Sequence, residues 1–475
     1  MQNKLSKDAL RAYFLSHREE MIQDLFTLVR IPSVRSSGAP GMPFGKNAYK
    51  ALVCAETLFV REGFKTRMDR EGRYALAFYG NEGICESVGV FAHTDVVPTG
   101  DGWVYASPFD PVLKNGCAIG RGVEDNKAGV ILALWSLKYM KENGITPSRP
   151  ITVFLGSAEE SGMEDIGAFA ENEEIPAVSL VPDGGYPVCY GEKGIARAVM
   201  TAKAPFTDIL EIKGGDAYNV VLDAATLSLP YSEEREAALR SVFTASSDIS
   251  VEKEGDVLLL RAKGISAHAS MPDGSKNAAY LLSSALSDST VISEGDRVVL
   301  KNAARILEKT DGSVFGLNKE EKEFSPLTMA NGIVKTEEGR LAFSLDIRYG
   351  TAVGEKELEE KLAATAESLG FSLSMKENRE GFLCDKSGEA LSAILDACED
   401  FSGTRPEPFT MGGGTYARHL KNAYSVGTFV PYIHDPFDAP EGHGGAHQAD
   451  EHLPVDAFLE NAALVTDILY RLSSL

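Results

Sequence analysis

Five side chains with metal-binding chemistry stand in order along this 475-residue chain: His93, Asp125, Glu160, Asp183 and His447. Imidazole nitrogen and carboxylate oxygen are the donors that zinc and its borderline neighbours accept. Glu159 stands directly before Glu160, where a general base could work beside a metal. If His93, Asp125 and Asp183 held one ion and Asp125, Glu160 and His447 another, Asp125 would bridge them. Two divalent ions roughly 3.5–4 Å apart clamp a hydroxide and polarise a carbonyl together. Glu159 would take the proton from that water and deliver it to a leaving amine. Asp95, two residues past His93, could hydrogen-bond the other imidazole nitrogen and fix its tautomer. The set points to a metal-dependent hydrolase.

Each piece alone has an ordinary explanation. A His-x-Asp turn can be a loop pair, an Asp at a helix start a cap, a Glu-Glu pair a solvated surface. Asp183 before Gly-Gly can be turn chemistry, and His447 competes with His434, His443 and His452 in the same tail. What carries the reading is the conjunction of these residues at successive strand ends. The apolar runs Val88–Ala92, Ile151–Leu155 and Val178–Val181 read as buried strands, and His93, Glu159, Glu160 and Asp183 each follow one. Asp125 precedes a run of helix formers from Lys127 to Met140. Strands alternating with helices imply an α/β layer with a largely parallel sheet. In such sheets, sites form beyond the carboxyl ends of the strands.

Around these elements the spacing predicts a helix across residues 8–30, stopped by Pro32, and another from Ala48 to Arg61 that closes at Gly63. From about 197 to 384 the texture changes to alternating strands, such as Val257–Ala262 and Leu341–Arg348, with helices near 277–287 and 355–369. That pattern predicts an α+β insertion. The catalytic layer would then be built from residues 1–196 and 385–475, with 197–384 as a separate domain.

Length favours two domains. With 44% hydrophobic and 24% charged residues the composition is that of a globular protein. A net charge of −22 argues against nucleic acid and against anionic membrane as partners. The six cysteines are scattered without a CxxC pair. The N-terminus lacks signal-peptide features and no apolar run approaches a membrane span, so the cytoplasm is the expected location.

The chain resembles the M20 metallopeptidases, and among them the PepV-like bacterial dipeptidases. The matching segments are Phe91-Ala-His93-Thr-Asp95-Val-Val-Pro, Gly120-Arg-Gly122 with Asp125-Asn-Lys127, Ser157-Ala-Glu159-Glu160-Ser-Gly and Val181-Pro-Asp183. Two more are Gly264-Ile-Ser-Ala-His268-Ala-Ser-Met-Pro272 and Gly444-Gly-Ala-His447-Gln. The resemblance implies a dizinc hydrolase domain with a mostly parallel sheet and an inserted α+β lid domain. It implies that His93, Asp125, Glu160, Asp183 and His447 hold two Zn2+, with cobalt or manganese as possible substitutes. Glu159 would be the base and Asp95 the orienter of His93. His268 in the lid would stabilise the developing oxyanion. Arg348 would hold the substrate's terminal carboxylate, Asn219 would add a polar contact, and the turn at Gly414 would offer backbone amides to the same carboxylate. The chain departs from the pattern at Ala128-Gly129, at Asp450 and at Gly350.

The implied reaction is hydrolysis of dipeptides or very short peptides with a free N-terminus. The same scaffold could instead deacylate an N-acyl amino acid, or a relative could bind metal without turnover. A monomer and a homodimer are both compatible with the sequence.

Overall fold

A computed structural model describes residues 5–243 and 248–475. The chain forms two compact units, one of Met1–Gly191, Cys384–Phe409 and Gly414–Leu475, the other of Glu192–Leu383 and Thr410–Gly413. The first crossover thus lies a few residues before position 196. The reason is the strand Gly194–Ala202, which pairs on one side with Arg340–Tyr349 and on the other with Phe371–Arg379.

In the first unit, one sheet runs in the order β1 (Lys65–Met68), β2 (Ala75–Tyr79), β6 (Ile151–Gly156), β3 (Val88–His93), β7 (Val178–Val181) and then Ala423–Ser425. Its centre is parallel: β3 pairs with β6 and β7, and β7 with Ala423–Ser425. Antiparallel β1 and β2 extend it at one side. Every position of β3 and β6 is buried, as strands covered on both faces must be. The helix Lys127–Glu142 packs on β3, and Lys46–Arg61 packs on β2 and β6. The register sets His93 opposite Gly156, so the carboxyl ends of the parallel strands share one edge. A smaller antiparallel sheet joins β4 (Val112–Lys114), β5 (Cys117–Ile119) and His452–Pro454.

The first helical stretch is broken in two, Lys7–Ser16 and Lys-free Arg18–Val29. At the break, the Ser16 hydroxyl donates to the Tyr13 carbonyl at 2.7 Å and the His17 ring lies 2.8 Å from the same oxygen. The His17 amide still donates to that carbonyl at 3.1 Å, so the side chains share it with the helical ladder.

The second unit is an antiparallel sheet in the order 249–254, 257–263, 224–230, 211–214, 334–337, 340–349, 194–202 and 371–379. Helices Ala278–Leu286 and Glu294–Leu307 pack on each other, and Glu355–Ser368 packs on Phe371–Arg379. The core includes Leu227, Leu260, Leu282, Leu300 and Phe343. Glu294–Leu307 was not anticipated, although Ser293 caps it by accepting from the Asp296 amide at 3.1 Å.

Candidate metal centre

His93 ends β3 with no exposed surface. Its Nδ1 lies 3.0 Å from the Asp95 carbonyl, which places the proton on Nδ1. The other nitrogen, Nε2, is buried without a hydrogen bond, yet faces Asp125 Oδ1 at 3.1 Å and Asp183 Oδ2 at 3.5 Å. A lone pair held between two carboxylates calls for a cation, so the donors present fit a divalent metal. Asp95 orients the ring through its backbone, with its carboxylate at 3.4 Å. That carboxylate accepts instead from the Glu159 and Glu160 amides, both at 3.1 Å.

Asp125 sits in the loop before Lys127–Glu142, and Glu451 and Asn126 position it. The Glu451 carboxylate, fully buried, accepts from the amides of Gly122, Glu124 and Asp125 at 3.0, 3.0 and 3.1 Å. It also accepts from Arg121 Nη1 at 2.7 Å. Burial and nearby Asp125 raise the Glu451 carboxyl, while Arg121 and the amides oppose this. With a donor at every contact, the anion is the form that fits. Asn126 accepts from the His93 amide at 3.3 Å and donates to the Pro182 carbonyl, tying the ends of β3 and β7 together. Gly129 makes room for it, since a Cβ there would lie 2.4 Å from Asn126 Oδ1. The departure at Ala128-Gly129 therefore has a packing role.

Glu159 and Glu160 form a single 3-10 turn after β6. Asp165 holds that turn from below, accepting from the Ser157 amide at 2.6 Å, the Ala158 amide at 2.8 Å and the Tyr416 hydroxyl. Burial pushes the Asp165 carboxyl up to about 6.

The structure brings His93, Asp125, Glu159, Glu160, Asp183 and His447 together. Donor atoms of His93, Asp125 and Glu160 lie within 4.8 Å of one another, as do those of His93, Glu159 and Asp183. Asp125 Oδ2 and Glu160 Oε1 both lie 3.0 Å from His447 Nε2. His447 takes a left-handed backbone, φ 65°, which a non-glycine residue adopts at a cost when a site demands it. Hydrogen bonds with Asp125 and Glu160 push its imidazole up to about 11. Burial raises the Glu160 carboxyl to about 7 and Asp183 to about 6, with Asp125 adding to both. Burial drives Glu159 well above the carboxylate range. Burial acts on Asp125 too, but hydrogen bonds from His447 and His93 outweigh it and hold that carboxyl low.

Asn219, His268 and Arg348 lie in the second unit. His268 is exposed, and its Nδ1 accepts from the Ser270 amide at 3.2 Å, which leaves the ring proton on Nε2. Asn219 precedes no helix; its carbonyl accepts from the Ala269 amide at 2.9 Å, beside His268. Arg348 is 4% exposed and its fork already grips Asp346, at 2.6 Å through Nε and 3.3 Å through Nη2, with Nη1 donating to the Gly412 carbonyl at 3.2 Å. Gly414 belongs to the first unit, and a Cβ on it would lie 2.2 Å from Arg418 Nη2.

The other departures also have local reasons. Asp450 is fully buried, accepting from the Val104 amide at 3.0 Å, the Tyr105 amide at 2.8 Å and pairing with His443 Nδ1 at 2.7 Å. It staples the loop at Val104 and Tyr105 to the segment after His447. A Cβ at Gly350 would lie 1.2 Å from Glu321 Oε2, so this glycine admits a carboxylate that also accepts from the Ala352 amide. Sequence reasoning missed Glu451, Asn126 and Asp165 as supports of the site. Arg121 stood inside a quoted motif and was the available signal for a buried acidic partner.

Among known proteins, the Bacillus subtilis protein named "Putative dipeptidase YtjP" is 28% identical over 468 residues, covering 96% of this chain and 98% of that one. The structure of human carnosine dipeptidase 1 is 14% identical with a TM-score of 0.60, covering 99% of this chain and 100% of that one. That of the Saccharomyces cerevisiae dipeptidase Dug1p is 12% identical with a TM-score of 0.61, covering 98% of each. These two share the fold. Residues 89–471 match the peptidase family M20/M25/M40, and with the donor cluster on the sheet edge where that match begins, this chain belongs to that family.

Proposed function

We propose that this chain is a metal-dependent dipeptidase acting on dipeptides, or very short peptides with a free N-terminus. The observation that carries the reading is the Asp125 carboxylate, which turns Oδ1 to His93 at 3.1 Å and Oδ2 to His447 at 3.0 Å. One carboxylate facing two imidazoles would suit a ligand shared between two ions. His93, Asp125 and Asp183 would hold one, and Asp125, Glu160 and His447 the other. Two divalent cations, zinc in this reading with cobalt or manganese as substitutes, supply Lewis acidity toward the scissile carbonyl and toward water.

The chain's own groups do the rest. Glu159, buried beside the ligand Glu160, would take a proton from water and pass it to the leaving amine. The acidic surroundings suit a substrate's free amine. His268, with its proton on Nε2, is a donor for the oxyanion. Arg348 and the Gly414 turn are assigned to the substrate's carboxylate end, and Asn219 to a polar contact with the substrate. For Arg348 this uses the N–H groups beyond those that grip Asp346. The dipeptidase name of the B. subtilis relative supports the substrate class.

The test is hydrolysis of a simple dipeptide beside its N-acetylated form by zinc-reconstituted protein. Cleavage of the free dipeptide alone is expected. Preferential cleavage of the acetylated compound would move the assignment to deacylation on the same scaffold, and cleavage of neither would refute both.

A further inference from the structure

A second set of metal donors lies elsewhere in the first unit, using none of the donors around Asp125. In the small sheet, Cys117 is paired with Pro454 and His452 with Ile119, so Cys117 and His452 are diagonal neighbours on one face. Asp435 reaches the same face from the preceding loop. Cys117 Sγ lies 3.6 Å from Asp435 Oδ1, His452 Nε2 lies 2.7 Å from Asp435 Oδ2, and the three donors fall within 4.8 Å of one another.

The imidazole is oriented as a ligand would be. Its Nδ1 lies 2.7 Å from the Gly444 carbonyl, which places the ring proton there and leaves the Nε2 lone pair toward Asp435. Gly444 has room for this approach only because it lacks a side chain; a Cβ would lie 3.0 Å from Nδ1. The ring is braced by Phe437 at 4.6 Å between centroids. A lone pair 2.7 Å from a carboxylate oxygen needs a positive charge between them, either a second ring proton or a metal ion.

Size and softness favour the metal. With bonds of about 2.0–2.3 Å to nitrogen, oxygen and sulfur, a tetrahedral ion sets its donors roughly 3.3–3.7 Å apart. The 3.6 Å separation of the sulfur from Asp435 Oδ1 already matches, with Oδ2 the oxygen turned to His452. The nitrogen–oxygen separation must open by about 0.7 Å; Asp435, with its side chain 41% exposed, has room to turn, loosening the 2.9 Å bond that its Oδ1 accepts from the Phe437 amide. A thiol, an imidazole and a carboxylate together suit zinc and its borderline neighbours, whereas magnesium and calcium take oxygen.

We propose that Cys117, Asp435 and His452 hold a further divalent cation of the zinc class, with water completing its coordination on the exposed Asp435 side. Burial, with Asp435 and Asp456 adding to it, pushes the Cys117 thiol up to about 12, so it carries its proton until the cation arrives. The sulfur–metal bond forms as the S–H bond breaks, and the proton leaves to solvent. The ion would clip β5 and His452–Pro454 to the loop at Asp435, closing the segment that carries His447 and Glu451.

Cobalt titration of the metal-free full chain tests this. The cluster around Asp125 contains no sulfur, so sulfur-to-cobalt charge-transfer absorption in the near ultraviolet reports the new site whatever happens at the other. A third cobalt equivalent accompanied by this absorption is expected. Cys117→Ser should remove the band and one equivalent, and Asp435→Asn should weaken that equivalent at least tenfold. Saturation without the band in the unaltered protein would overturn the proposal and leave an imidazolium–aspartate pair. The band persisting undiminished in Cys117→Ser would overturn it too. If Cys117→Ser fails to fold, the unaltered spectrum and Asp435→Asn, at a half-exposed position, still decide.

Discussion

Replacing Glu451 with Gln tests how the first unit places Asp125. The carboxylate is buried and accepts from Arg121 and from three amides of one loop, those of Gly122, Glu124 and Asp125. A Gln fits the same space with one acceptor in place of two. If its oxygen faces the amides, its NH2 group meets the Arg121 guanidinium; if it turns, the NH2 meets the amides. Either orientation leaves buried Arg121 without its counter-charge, a loss of about 3–5 kcal/mol when one partner of such a pair is removed. Against a total of about 5–15 kcal/mol for a folded domain, that is a large fraction. The loop carrying Asp125 would shift as well, and loss of a group supporting metal ligands costs roughly 10–100-fold in metal affinity. Denaturant unfolding and zinc competition with a chelator measure both quantities. Arg121→Met combined with Glu451→Gln should be less destabilising than the two single effects added, by a coupling of about 2–3 kcal/mol. An unchanged midpoint and unchanged zinc retention in Glu451→Gln would refute the reasoning, as would additivity in the double variant.

Glu159→Ala should retain both ions, by elemental analysis, and lose roughly 10²–10⁴-fold in kcat; near-normal turnover would exclude it as the base. Gly129→Ala places a Cβ against Asn126 and should destabilise by about 1–3 kcal/mol, read as a lower unfolding midpoint, with weaker zinc retention because Asn126 ties β3 to β7. Burial, with Asp95 adding to it, holds Asp165 at about 6, above the 3.8 of an unperturbed carboxyl, against the Tyr416 hydroxyl and the amides that favour its anion. Its contribution is complete below the lower value and is lost as pH rises through the upper one, roughly 3 kcal/mol in all. Asp165→Asn should therefore flatten the fall in stability between about pH 4 and pH 6, measured by unfolding at several pH values; an unchanged slope would rule this group out as its source.

The donors at strand ends were legible because a buried parallel strand leaves a continuous apolar run, and the polar residue that follows stands out against it. Val88–His93, Ile151–Gly156 and Val178–Val181 all carry that signature. The supports were not, since a buried acid in a loop has no period. Glu451 follows Asp450 and resembles any solvated pair, yet both are fully buried and turned to different partners. The helix Glu294–Leu307 was readable in principle, with Ser293 as cap and Val299, Leu300, Ala303, Ile306 and Leu307 buried along one face. The break at His17 was hidden because the apolar spacing continues through it and the backbone bonds around it persist, the His17 amide donating to the Tyr13 carbonyl at 3.1 Å. Arg348 is legible by type, but its grip on Asp346 follows from strand alternation bringing two residues of Arg340–Tyr349 to one face.

The late arrival of Ala423–Ser425 beside β7 bears on synthesis. About 240 residues separate Val181 from Ala423, and the whole second unit is made in between. At roughly 5–20 residues per second, a ribosome leaves the apolar edge Val178-Ser-Leu-Val181 without its final neighbour for roughly 10–50 s. An unpaired edge of this kind is a template for other chains. Nascent protein should therefore be most prone to aggregation after β7 has emerged and before residue 425 has, which makes truncations within the second unit poor expressers and the C-terminal segment, supplied in trans, their natural rescue.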